Sequence, residues 1–81
     1  MGKRTDYSTQ VSRRLRELRH ASGLSPREVC DKLRRQGHDV PLSTLYAYER
    51  GKDNHGANLP LRMVPAVARI FGFDTPAEWL P

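Results

Sequence analysis

The stretch Ser25–Lys52, SPREVCDKLRRQGHDVPLSTLYAYERGK, decides the fold of this 81-residue chain. Ser25-Pro26-Arg27-Glu28 is a helix start. Ser25 is a cap, Pro26 suits the first helical position because an N–H there has no partner to lose, and Glu28 completes a capping box. Val29, Cys30 and Leu33 then share an inner face, and Gly37 ends the helix. His38-Asp39-Val40-Pro41 makes a short connection, extended at Val40 because a proline follows. A further helix runs from about Leu42 to Arg50 and stops at Gly51, with Leu45 and Tyr48 inward and Ser43, Tyr46, Ala47 and Arg50 outward.

Working outward, residues 1–7 (MGKRTDY) read as a mobile basic arm, and residues 8–81 as one domain. The first helix is expected to begin near Ser8 or Thr9. Val11, Leu15, Leu18 and Ser22 fall on one face by the i, i+4, i+7 rule, and Arg13, Arg16 and His20 on the other. Gly23 ends it. Lys52 to Asn58 (KDNHGAN) reads as a polar loop too rich in Gly and Asn for a helix. A fourth helix is expected over Val64 to Phe71, with Pro65 in its first turn, Val67, Ala68 and Phe71 on its apolar face, and Gly72 ending it. Thr75-Pro76-Ala77-Glu78 repeats the start signal and opens a fifth helix of barely one turn carrying Trp79 and Leu80. Two readings of that pair stand: closure of the core over the fourth helix, or a partly exposed contact between two copies. With no strand-like alternation, the fold class is all-α, a compact four- to five-helix bundle.

Composition narrows the function. Residues 1–52 hold 12 Lys and Arg against 6 Asp and Glu, whereas residues 53–81 hold 2 against 3, so the net charge of +5 lies entirely in the first two thirds. A one-sided basic field is the electrostatic footprint of a polyanion binder. The single cysteine excludes an internal disulfide and any multi-cysteine zinc site. Cys30 reads as a small buried thiol suited to a reducing cytoplasm. His20, His38 and His55 lack ligand spacing, so neither a metal nor a cofactor is expected. No Ser/His/Asp set and no paired carboxylates mark an enzyme. No apolar stretch approaches a membrane span, and no signal peptide is recognised. No small-molecule ligand is expected, and no ligand-sensing or cleavage domain within these 81 residues; one in a longer parent protein stays open.

Two helices joined at an angle on a basic chain read as a helix-turn-helix whose second member enters the DNA major groove. Such a helix reads bases through its first turns and outward face, which nominates Leu42, Ser43, Thr44, Tyr46 and Ala47. Packing inward beside Leu45 is the competing reading for Leu42, and a helix-start role for Thr44. The set contains no Arg, Gln or Asn for bidentate base contacts, leaving thymine methyls, hydroxyl bonds and DNA shape to carry specificity. Arg27, at the exposed start of the preceding helix, sits where backbone N–H groups also favour an anion. Lys3 and Arg4 read as an arm along DNA or as a free tail.

The ordered set of motifs resembles the lambdoid phage repressor/Cro superfamily, the XRE-like helix-turn-helix family. It comprises Leu15-Arg16-Glu17-Leu18-Arg19, Gly23-Leu24-Ser25, Glu28-Val29-Cys30, Glu49-Arg50-Gly51-Lys52, Val67-Ala68-Arg69-Ile70-Phe71-Gly72-Phe73 and Glu78-Trp79-Leu80. The resemblance spans Val11 to Leu80. It implies a lambda repressor-like domain with base-reading positions at Leu42, Ser43 and Ala47, flanked by Pro41, Thr44 and Tyr46. It implies phosphate contacts from Arg27, Pro41, Arg50, Lys52 and Arg62, and a structural ion pair between Arg19 and Glu49. Two segments depart from the family pattern. Arg34 to Asp39 lengthens the turn between the two helices, as in actinobacterial and actinophage members, and Asp53 to Leu59 is also long. Pro26 stands where the family often has a DNA-clamping Gln, a role Arg27 is expected to take. The implied function is a Cro-like or small repressor binding a palindromic operator as a homodimer in the cytoplasm of a bacterial or phage-infected cell. The alternative is an antitoxin-type module that sequesters a protein partner and controls its own promoter.

Overall fold

The computed structural model describes residues 7–81, the side chain of Asp53 excepted. Four α-helices follow one another: α1 Tyr7–Ser22, α2 Pro26–Arg35, α3 Leu42–Arg50 and α4 Val64–Ile70. Three-residue 3-10 turns lie at Lys52–Asn54, Leu61–Met63 and Pro76–Glu78, and no strand is found among the described residues. The all-α class holds. The first helix opens at Tyr7, a residue expected in the arm, while Lys3 and Arg4 lie outside the described residues. The expected loop after Gly51 contains a 3-10 turn, and the expected fifth helix is only such a turn.

Local chemistry explains the boundaries. The Glu28 N–H donates to Ser25 Oγ at 3.2 Å and the Ser25 N–H to Glu28 Oε1 at 2.9 Å, closing the capping box that opens α2. Those bonds from Ser25 hold the Glu28 carboxyl below its ordinary range. At the far end, the Gly37 N–H donates to the Arg34 carbonyl and the His38 N–H to the Leu33 carbonyl, both at 2.9 Å. This is a Schellman closure, and Gly37 takes the φ of +90° that it requires. The long turn that follows is anchored, because Val40 is buried in the core. The helix α4 ends at Ile70 rather than Phe71, through the same pair of bonds from Gly72 and Phe73.

The core draws Val11 and Leu15 from α1, Val29 and Leu33 from α2, Leu45 from α3, and Ala66, Val67 and Ala68 from α4. Val40, Leu59, Met63 and Trp79 fill the spaces between them. Helix α3 packs between α1 and α2, and α2 also meets α4. Of the two readings of the C-terminal pair, Trp79 takes the first: it is fully buried, and its indole N–H donates to the Val64 carbonyl at 3.2 Å. Its own carbonyl accepts from Arg14 Nε at 3.0 Å, tying the chain end to α1. Only Leu80 of that pair reaches the surface.

Two expectations change on α1 and α2, those for Ser22 and Cys30. Ser22 is exposed rather than inward, because the helix has run past the core by its last turn, and its hydroxyl donates back to the Arg19 carbonyl. Ser12 is buried instead, where α1 meets Gly51. Cys30 is half-buried rather than enclosed, and burial pushes its thiol up, away from reactive thiolate character.

Candidate nucleic-acid interface

The outward face of α3 is set by which of its residues the core claims. Leu45 and Glu49 are buried, Tyr48 is half-buried, and Ser43, Tyr46 and Arg50 are exposed. Leu42, Thr44 and Ala47 are partly covered. Ala47 is thus only partly open, and its carbonyl is met by the segment after α3. That segment folds back over the helix end: the Gly51 and Ala57 N–H groups both donate to the Ala47 carbonyl, at 3.0 and 2.9 Å, and the Gly56 N–H donates to the Gly51 carbonyl at 2.9 Å. The loop thus satisfies carbonyls that a helix C-terminus leaves without partners.

Gly56 makes that return possible. A Cβ there would clash with the Ala47 carbonyl oxygen and stand 2.8 Å from that of Gly51, both backbone atoms. Gly56→Ala is expected to push the 51–57 segment off α3 at a cost of about 1–3 kcal/mol, the usual range for overpacking. Thermal melting beside the parent protein checks it. An unchanged midpoint would mean that the loop is not held against the helix.

Glu49 points away from solvent and is consumed internally. Arg19 of α1 donates to it twice, Nε to Oε2 at 2.6 Å and Nη2 to Oε1 at 2.9 Å, with side-chain exposures of 12% and 5%. The Glu49 carboxylate holds the Arg19 guanidinium above its ordinary value, so the arginine keeps its charge. No unpaired acid is left on this end of α3.

The cationic residues divide into groups. Arg27 shares a groove with Pro41 and Leu42 at the start of α3. The same groove is lined by Asp31, Asp39 and Arg34, and Arg34 is paired with Asp31 at 3.0 Å. Pro41 precedes α3 without a side-chain cap and carries no N–H, so any phosphate contact from it is steric. Lys52 is exposed just beyond Gly51. Arg62 is exposed in the turn Leu61–Met63 and lines none of the grooves that α3 residues form here. Two residues that sequence reasoning left on the solvent face of α1 join the group: Arg13 and Arg16 line grooves with Arg50, Asn54 and Tyr46. Their helical spacing showed them outward, but only the packing of α1 on α3 shows what they flank.

A family model described as a helix-turn-helix domain matches residues 10–79. The chain belongs to the helix-turn-helix domain family. Searches of curated proteins and of solved structures find no match. Family membership implies duplex DNA as the partner and agrees with an α2–α3 pair whose second helix presents an exposed polar face. Among the described residues, no group of His, Cys, Asp or Glu is arranged to hold a metal ion, and no helix is long and apolar enough to cross a membrane.

Proposed function

We propose that this helix-turn-helix protein is a cytoplasmic, sequence-specific transcriptional regulator of the repressor or Cro-like kind, lacking enzymatic activity. It reads the major groove with α3 and needs no cofactor. The observation that carries the reading is the surface of α3. Ser43, Tyr46 and Arg50 are exposed on one helix whose only acid, Glu49, is locked to Arg19. Base contacts come from Ser43 and Tyr46, with narrower contributions from Leu42, Thr44 and Ala47. Arg27, Arg50, Lys52 and, more peripherally, Arg62 hold phosphates, while Pro41 shapes the approach. Residues 1–6, ahead of α1, supply a basic arm to the domain formed by the rest.

The module acts as a homodimer on a palindromic site with half-site centres about 34 Å apart, one helical turn. Support comes from a contiguous apolar groove lined by Tyr7, Leu59, Leu61, Pro65 and Leu80, at which Leu61 is 87% exposed. With no bidentate base reader on α3, one copy discriminates poorly, and two-fold repetition supplies the missing contacts.

The test is selection of bound sequences from random duplex DNA, followed by affinity measurements across a salt series. The expected result is an enriched palindrome and a steep salt dependence, with each phosphate contact adding about 0.9 to the log–log slope. Arg50→Ala weakens specific and random DNA alike, whereas Ser43→Ala alters the preferred sequence. No enriched sequence, or an affinity indifferent to salt, would overturn the assignment.

A further inference from the structure

We propose that α1 carries a second backbone-binding site, a cleft in which Arg13 and Arg16, together with Arg50 of α3, hold a phosphodiester of the DNA outside the bases read by α3. The inference rests on the DNA-binding reading above and extends its footprint to a helix outside the helix-turn-helix unit.

The argument begins with charge. Arg13, Arg16 and Arg50 line one groove, and Asn54 completes it. Like charges gathered around one concavity raise its positive potential and favour an anion there. Among the described residues, the one carboxylate lining the groove is Glu49, and Arg19 already holds it bidentately. Glu17, further along α1, is 4.0 Å from Arg14. Among the described residues, no carboxylate lies within ion-pair distance of Arg13, Arg16 or Arg50. All three side chains are exposed, so a ligand can reach them.

Geometry then selects the anion. Arg13 and Arg16 are three residues apart, about 4.5 Å along the axis, so both side chains line the same groove and lie within reach of one small group. Asn54 is held at the rim by its own bond, Nδ2 to the Arg50 carbonyl at 3.2 Å. Arg16 also lines the adjoining groove with Tyr46 and Arg50, so the cleft is continuous with the exposed face of α3. An anion bound there is therefore beside whatever α3 engages. Arginine's planar fork matches phosphate oxygens, and a linear polyanion is the ligand that can occupy the cleft and α3 together.

The experiment compares the parent protein, the double variant Arg13→Ala/Arg16→Ala, and a charge-matched control, Arg35→Ala/Arg69→Ala, which removes two cations from the α2 and α4 ends. Affinity for the selected duplex and for random duplex is measured across a salt series, with melting curves for all three. The double variant should lose about one unit of log–log salt slope, for the one phosphodiester the cleft holds, and weaken by at least about tenfold on both duplexes. Its preferred sequence and melting temperature should match the parent's, and the control should keep most of the parent's slope. A parental slope in the double variant, or an equal loss in the control, would overturn the α1 site while leaving the DNA-binding reading intact. A parent protein that fails to bind duplex DNA would overturn both.

Discussion

Arg19→Ala is expected to lower the stability of the fold by about 3–5 kcal/mol, the usual cost of leaving one member of a buried pair alone. The Glu49 carboxylate it strands is 5% exposed and loses both of its hydrogen bonds to Arg19, at 2.6 and 2.9 Å. Glu49→Ala should cost less. Its orphan is a long arginine that can swing its head toward water while its stem stays packed. The double variant should lose less than the sum of the two, because the second substitution removes the charge that the first one stranded. Urea unfolding of the four proteins closes the cycle, and additive losses would show that the two residues do not interact. The pair also bears on function. It fixes α3 against α1 and disposes of the one acid on a helix expected to meet phosphates, so either single variant should weaken DNA binding even below its melting point.

Trp79→Ala should destabilise by a similar amount, about 3–5 kcal/mol, the range for deleting a buried tryptophan. The ring is fully buried against α4, and its N–H bond to the Val64 carbonyl at 3.2 Å goes with it. For a domain of this size each kcal/mol moves the melting midpoint by about 4–8 °C, so a fall of more than about 12 °C is expected. Trp79→Phe keeps most of the apolar volume and loses the hydrogen bond, and it should fall between parent and alanine variant. Trp79 is the only tryptophan in the chain, so the parent's own fluorescence reports burial of this site. Emission typical of a water-exposed indole in the native protein, or a midpoint unchanged by the alanine substitution, would contradict its place in the core.

Much of the fold was legible because it is written in local punctuation. The Ser25-Pro26-Arg27-Glu28 start, the Gly37 stop and the Leu42–Arg50 helix ending at Gly51 are each decided within one helical turn. There the backbone either finds a cap or needs a left-handed residue. The 3-10 turns at Lys52–Asn54 and Leu61–Met63 were missed for the complementary reason. Runs this short carry no periodicity, and they persist because neighbouring elements hold them.

The sequence by itself determined an all-α chain, the placement of four helices and a basic charge confined to the first 52 residues, since propensity, capping and composition act without regard to distant contacts. Tertiary structure alone decided three other matters. Trp79 lies inside because α4 leaves a space that the last turn fills, where its sequence neighbourhood also admitted a partly exposed contact between copies. The segment after α3 returns onto the Ala47 carbonyl, which depends on Gly56 fitting against two carbonyls. Arg13 and Arg16 came to flank Arg50 because α1 packs on α3. Helical spacing tells which residues leave the core, but the neighbours they meet outside it depend on how whole helices lie against one another.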